Sequence, residues 1–210
     1  MSDDPPGPSR HRPAHLLVAG ATGALRPAVL AATARGDTVT ALARTAGPLG
    51  ELEHRTGGRA RPLPRDYEAP GLPEALAGAA RESPFTGALL YCPLATPATV
   101  RALTAAVEPG RPVVLLLTSA HAAPDGEVGG GAVGARGDGA ALAWTPARLP
   151  AAARPVPGCR LLVLGWRTEP EGPRWHTPEE ISEAALRVLD ADPARDAVLG
   201  RVRPWSSRPR

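Results

Sequence analysis

Short apolar runs alternate with longer segments of helical periodicity from about residue 14 to the end of the chain. Runs such as "ALLYC", "VVLLLTS" and "LLVLGW" are apolar at nearly every position, which is typical of central strands covered on both faces. Strands that alternate with helices form parallel sheets. The pattern therefore predicts an α/β fold: a doubly wound, mostly parallel sheet of six to seven strands with helices on both faces.

Element boundaries follow from the same pattern. Strands are predicted over residues 15–19, 38–43, 59–63, 87–92, 112–118, 160–165 and 197–199. Helices are predicted over residues 24–35, 47–55, 72–81, 97–107, 139–152 and 178–190. The last helix has its own start signal, because Thr177 can cap it, Pro178 suits its first turn and Glu180 completes a capping box. Its apolar residues share one face, which we expect to pack on the sheet: Ile181, Ala184, Ala185 and Val188.

Composition limits the classes of protein to which the chain can belong. Its 210 residues suit one domain, and we expect residues 1–13 to be a disordered leader and residues 14–210 the folded domain. The 24 basic residues are all arginine and are scattered among 21 acids, so no nucleic-acid surface is predicted. No apolar run approaches the roughly 18 residues of a membrane span, which favours a cytoplasmic protein. Cys92 and Cys159 lack metal-ligand spacing and are predicted to be buried free thiols, with no metal site.

The segment "HLLVAGATGALRP" predicts a strand, a tight glycine turn and a helix. Glycine permits the sharp backbone angles of such a turn and the close approach of a pyrophosphate, and the helix N-terminus offers free N–H groups to the anion. The predicted dinucleotide-binding residues of this turn are Gly20, Thr22, Gly23, Ala24, Leu25 and Arg26. Arg26 stands where a third glycine is common, and it is interpreted either as a neighbour of a phosphate or as a solvated helix residue.

The end of the second predicted strand indicates which dinucleotide binds. An acid there would bind the ribose 2′-OH of NAD, whereas an arginine accommodates the 2′-phosphate of NADP. This strand ends in Arg44, with the Thr45 hydroxyl beside it and no acid before Glu51. The sequence therefore predicts NADP as the cofactor, and the alternative is an ordinary surface arginine in an arginine-rich protein.

Two further segments follow strands that reach the same edge of the sheet. Asp66 and Tyr67 follow the third strand, where a carboxylate can accept a hydrogen bond from adenine, although a solvated loop aspartate is an equal alternative. Pro93 and Leu94 follow the fourth strand, and we expect their backbone to line the cofactor's ribose.

At these residues the chain resembles the short-chain dehydrogenase/reductase superfamily, and within it a group of small, atypical members. The resemblance rests on the "GATG" turn followed by a basic residue, on "RWHTPEEIS" over residues 174–182, and on "VLGRVRPW" over residues 198–205. It implies a Rossmann fold that binds a nicotinamide dinucleotide. The superfamily's Tyr-x-x-x-Lys pair is absent, because the chain contains no lysine.

Candidate catalytic groups remain in "TSAHA" after the fifth strand. Ser119 matches the superfamily position of an active-site serine, and a histidine such as His121 can shuttle a proton near neutral pH. The alternative is that both residues only hydrogen-bond a loop. Two functions stay open: an NADP-dependent oxidoreductase acting on a small carbonyl or imine substrate, and a non-catalytic NADP-binding sensor or protein-interaction module. Trp175 and Trp205 are expected to pack on their own domain or on a neighbouring copy in a homo-oligomer.

Overall fold

The computed structural model describes residues 13–123, 146 and 159–209. The predicted leader and the predicted helix over residues 139–152 lie outside the described residues, apart from Pro13 and Pro146.

The observed elements lie within two residues of their predicted bounds. Seven strands correspond to those predicted: β1 (His15–Ala19), β2 (Thr38–Ala43), β3 (Ala60–Pro64), β4 (Gly87–Leu90), β5 (Val113–Thr118), β6 (Arg160–Leu164) and β9 (Ala197–Leu199). Two more strands, β7 (Trp166–Glu169) and β8 (Gly172–Trp175), lie between β6 and the last helix. The helices are α1 (Arg26–Ala34), α2 (Ala46–Arg55), α3 (Leu72–Glu82), α4 (Pro97–Ala105) and α5 (Pro178–Asp190).

Seven strands form one parallel sheet in the order β3-β2-β1-β4-β5-β6-β9. Residues of α1, α2 and α5 pack in one core cluster on one face of this sheet, and residues of α3 and α4 pack in a second cluster on the other. The predicted doubly wound α/β fold is confirmed. Because the strand order reverses between β1 and β4, the carboxyl ends of these strands open a crevice of the kind that holds ligands in such sheets.

The antiparallel hairpin β7–β8 was not predicted from the sequence. Trp166 pairs with Trp175 and Glu169 with Gly172, and Trp166 is also bridged to Arg201 beyond β9. The hairpin is only four residues long on each side, too short to show a clear period of two. It brings Trp175 to the carboxyl edge of the main sheet.

Helix α5 begins as its sequence predicts. The Glu180 N–H donates to Thr177 Oγ1 over 3.3 Å, and the Thr177 N–H donates to Glu180 Oε2 over 3.0 Å, which confirms the capping box. The predicted apolar face of α5 is buried against the sheet and α1, as expected. No helix in the described ranges is both long enough and apolar enough to cross a membrane.

Candidate functional site

The glycine turn after β1 has a geometry that requires glycine at its first position. Gly20 has a φ of +85°, and a Cβ on it would lie 2.9 Å from the carbonyl oxygen of Tyr91. Its N–H donates to the Leu42 carbonyl over 3.2 Å, which fixes the turn to β2. The chain therefore passes so close to the end of β4 that no side chain fits.

The same turn presents backbone donors that the protein leaves unused. Within the turn, Gly23 donates to the Gly20 carbonyl and Arg26 to the Gly23 carbonyl. The N–H groups of Thr22, Ala24 and Leu25 have no acceptor among the described residues. No side chain caps α1 either, so its N-terminus is free to bind an anion.

A hydrogen bond connects helix α5 to this turn. The buried Ser182 donates from its hydroxyl to the Ala24 carbonyl over 2.9 Å, across 158 residues of sequence. Ser182 lies in the "RWHTPEEIS" segment, so the two segments that carry the sequence resemblance are in contact. The sequence alone did not indicate this contact.

Arg26 points outward and pairs with an acid on α2. Its Nη2 lies 3.4 Å from Glu51 Oε2, and both side chains are solvent-accessible, at 38% and 66%. In this structure the partner of Arg26 is therefore a carboxylate, and the packing of α1 against β1 does not have to accommodate the guanidinium.

Arg44 lies at the carboxyl end of β2, beside the N-terminus of α2. Its side chain is exposed and has no hydrogen bond or ion pair within the part of the chain that the structure describes. Thr45 is the N-cap of α2, but its hydroxyl does not cap the helix. The Arg44 guanidinium, the Thr45 hydroxyl and the first N–H groups of α2 thus lie together. None of them has a partner in the described part of the chain, and all three favour an anion.

Asp66 and Tyr67 lie next to Arg44, at the carboxyl end of β3. Burial raises the pKa of the Tyr67 phenol, Cys92 and Asp66 raise it further, and the positive charge of Arg44 opposes this. Asp66 Oδ1 accepts from the N–H of Glu68 over 2.9 Å, as an aspartate in a turn does. The second oxygen of Asp66 has no partner within the described ranges, so the turn leaves it available to a ligand.

The loop after β4 leads into α4, whose N-terminus is already occupied. Thr96 Oγ1 accepts from the Thr99 N–H over 3.2 Å, and Glu68 Oε1 accepts from the Thr96 N–H over 2.7 Å. A carboxylate at this helix end disfavours a second anion there, which leaves the α1 end as the better phosphate site. Pro93 and Leu94 lie in this loop, and Leu94 is 85% exposed.

Ser119 and His121 line different cavities. Both lie in a 3-10 turn after β5. In such a turn, residues two positions apart in sequence are separated by about 240° around the helix axis. Ser119 is 8% exposed and lines a cavity of about 460 Å³, whereas His121 lines a smaller cavity of about 150 Å³ beside Cys92. The His121 Nδ1 lies 3.3 Å from the Thr118 carbonyl oxygen. The structure does not bring the predicted pair together.

The larger cavity, which we call the main cavity, lies at the carboxyl ends of β4, β5 and β6. The side chains on which its chemistry depends are Tyr91, Ser119, Trp175, His176, Trp205 and Arg208. Sequence reasoning found only Ser119 as a candidate catalytic residue here, since the others come from three separate segments. Burial raises the pKa of the Tyr91 phenol, so this group keeps its proton at neutral pH.

Two tryptophans, Trp175 and Trp205, line the main cavity and pack against a third. Trp166 is fully buried and makes edge-on contacts with Trp175 and Trp205, at centroid distances of 6.4 and 6.1 Å. Trp175 and Trp205 thus pack on their own domain, which is one of the two expected outcomes, although Trp175 remains 47% exposed.

Glu180 joins the hairpin to α5. Arg174 donates to both carboxylate oxygens of Glu180 over 2.9 Å, and Arg167 donates to one over 2.7 Å. The pKa of Glu180 is held well below its usual range, mainly by the hydrogen bonds from Arg174 and next by the hydrogen bond from the Thr177 N–H. The same pairing raises the pKa of Arg174. His176 Nδ1 also lies 3.2 Å from Glu180, so the cavity wall is anchored at one carboxylate.

Cys92 and Cys159 are both buried and neither forms a disulfide, as predicted. Burial raises the pKa of the Cys92 thiol to about 12. At neutral pH this group is a thiol rather than a thiolate, so it is no nucleophile.

No family model matches the chain, and no curated protein matches it. Several solved structures do match it. A short-chain dehydrogenase from Streptomyces avermitilis has a TM-score of 0.58 at 17% identity, covering 89% of this chain and 88% of that chain. The 3-hydroxyacyl-CoA dehydrogenase type-2 from Mycobacterium avium has a TM-score of 0.58 at 16% identity, covering 89% and 94%. An oxidoreductase of the short-chain dehydrogenase/reductase family from Burkholderia thailandensis has a TM-score of 0.55 at 19% identity, covering 90% and 91%. At these identities the likeness establishes the fold, which is that of the short-chain dehydrogenases/reductases.

Proposed function

We infer that this chain is an NADP-dependent oxidoreductase that acts on a small carbonyl or imine compound. The observation that carries the proposal is at the carboxyl ends of β1 and β2, where several backbone N–H groups and the Arg44 guanidinium have no partner among the described residues. The solved structures that share this fold include an oxidoreductase and a short-chain dehydrogenase, which supports the same class of function.

The residues of the crevice fit a nicotinamide dinucleotide. Gly20 allows the turn to pack closely against the end of β4, and the N–H groups of Thr22, Ala24 and Leu25 suit a pyrophosphate. Arg44 and Thr45 suit a 2′-phosphate, because a guanidinium binds two phosphate oxygens at once. Asp66 and Tyr67 would lie at the adenine end, with Pro93 and Leu94 near the ribose.

A bound nicotinamide supplies the hydride, so the protein has to orient the substrate and handle one proton. Ser119 is positioned to donate a hydrogen bond from its hydroxyl to a carbonyl oxygen in the main cavity. Tyr91 lines the same cavity and retains its phenolic proton, which makes it the second donor. His121, the other predicted catalytic residue, lines the smaller cavity, so the chemistry proposed here does not depend on it.

A non-catalytic NADP sensor or protein-interaction module is the second candidate function. It is favoured by the complete absence of lysine, which removes the Tyr-x-x-x-Lys pair of the resembling superfamily. Both candidates need the same nucleotide site, so nucleotide binding is the first property to test.

Thermal unfolding in the presence of nucleotide tests the proposed site. NADPH at about 100 times its Kd adds about 2.7 kcal/mol to the free energy of unfolding, and we expect NADH at the same concentration to add much less. Arg44→Gln should remove the difference between the two nucleotides. Arg55→Gln, at the exposed C-terminal end of α2, is the matched control and should leave it intact. An equal response of the parent protein to both nucleotides would contradict the role of Arg44, and no response to either would overturn the proposal.

A further inference from the structure

We propose that the main cavity binds a planar, conjugated compound that carries a carboxylate, and that Trp175, Trp205 and Arg208 recognise it. These three residues form what we call the outer end of the cavity. As a substrate assignment this rests on the proposed oxidoreductase function, whereas as a binding assignment it stands independently.

The order of the strands places the outer end away from the glycine turn. The turn follows β1, and β4, β5, β6 and β9 then succeed one another across the sheet. Tyr91 and Ser119 follow β4 and β5, whereas Trp205 and Arg208 follow β9. The cavity therefore has an end near the nucleotide crevice, which carries the two hydroxyl groups, and a far end built from the tryptophans and Arg208.

The tryptophans present flat apolar surface in a fixed orientation. Trp175 and Trp205 both pack edge-on against Trp166, which is fully buried and held by the hairpin. Trp175 nevertheless keeps 47% of its surface exposed. An indole that is oriented by its neighbours but left uncovered offers a ready surface for stacking a planar group.

Arg208 gives the outer end a positive charge. Its guanidinium lies 4.7 Å from the centre of the Trp205 ring, and its Nη1 donates to the Trp205 carbonyl over 3.0 Å. Its remaining N–H groups have no acceptor among the described residues. No carboxylate lines the cavity in the described ranges, so the charge is not neutralised there.

A planar ring and a carboxylate match these two features together. The ring would stack on the indoles, while the carboxylate would accept hydrogen bonds from the guanidinium, an arrangement that arginine favours. The volume of about 460 Å³ lies within the roughly 300–1,000 Å³ typical of small-molecule sites. A carbonyl conjugated to the ring would extend from this end toward Ser119 and Tyr91.

Calorimetric titration of the full chain with four simple probes tests the assignment. Benzoate has both features, benzamide lacks the charge, cyclohexanecarboxylate lacks the planar ring, and acetate lacks the ring entirely. We expect benzoate to bind at least ten-fold more tightly than each of the other three. Arg208→Gln should abolish the preference for benzoate over benzamide, and Trp175→Leu should abolish the preference over cyclohexanecarboxylate. Arg111→Gln, an exposed arginine before β5, is the control and should change neither.

The outcomes separate this proposal from the proposed function. Selective benzoate binding without any response to NADPH supports the binding site and overturns the oxidoreductase. NADPH binding with equal affinity for all four probes overturns the present proposal and leaves the nucleotide site standing. A third outcome is that the parent protein is a dimer without selectivity for benzoate and that Trp175→Leu makes it a monomer. This result would assign the exposed indole to a contact between copies and would also overturn the proposal.

Discussion

The α-carbon of Gly20 lies so close to the end of β4 that a Cβ on it would stand 2.9 Å from the carbonyl oxygen of Tyr91. Its φ of +85° adds a second obstacle, because L-residues with a side chain rarely adopt that conformation. We expect Gly20→Ala to lower the free energy of unfolding by about 1–3 kcal/mol and to abolish nucleotide binding.

Gly50 provides the matched control for that substitution. It lies in α2, where a Cβ would meet nothing within 4 Å. Gly50→Ala should therefore leave nucleotide binding unchanged and stabilise the protein by about 0.5–1 kcal/mol. Urea unfolding measures both effects, and equal stability of the two variants would show that the close approach to Tyr91 is not a constraint.

The lowered pKa of Glu180 predicts that the free energy of unfolding depends on pH. Its pKa in the folded protein is lowered, mainly by Arg174, so its contribution is present above the ordinary glutamate pKa of about 4.3 and is lost as pH falls toward the folded value. We expect Glu180→Gln to unfold more readily than the parent at pH 7, with the difference shrinking steadily below about pH 4.

Glu179 serves as the control, because it is an exposed neighbour in the same first helical turn. Glu179→Gln should have little effect on urea unfolding at either pH. A difference between Glu180→Gln and the parent that is constant from pH 7 to pH 3 would mean that the carboxylate charge is not what anchors the hairpin.

We expect substitutions at Ser119, Tyr91 and His121 to have different effects on turnover. NADPH oxidation against a panel of carbonyl compounds, aromatic keto acids included, is the measurement. We expect Ser119→Ala and Tyr91→Phe each to lower kcat by about 100-fold, because each removes a proton donor from the main cavity. His121→Ala should change kcat by less than about two-fold, since His121 lines the other cavity. Full activity in Ser119→Ala and Tyr91→Phe would place the chemistry elsewhere.

The sheet, most of its helices and the glycine turn could be predicted from the sequence because each rests on local signals. Apolar runs mark β1, β4, β5 and β6, and the capping box marks the start of α5. The same kind of signal placed Arg44 at the end of β2, because a strand end is defined by the few residues around it.

The main cavity could not be predicted, because it is assembled from segments far apart in sequence. Trp175 reaches it on a hairpin whose strands are four residues long, and Trp205 reaches it after β9. The two residues "PE" between "WRTE" and "GPRW", followed by Gly172, are a turn signal that would have indicated the hairpin. The separation of Ser119 from His121 depends on the 3-10 geometry of one short turn, which their spacing alone does not specify.

The first turns of α5 contact both the glycine turn and the hairpin beside the main cavity. Ser182 bonds the glycine turn, while Glu180, two residues earlier, holds the hairpin that carries Trp175. A shift of this helix end would move the pyrophosphate donors and the aromatic wall in concert. If a ligand at one proposed site shifts this helix end, the effect on the other site must be reciprocal, so each ligand would change the affinity of the other by the same factor.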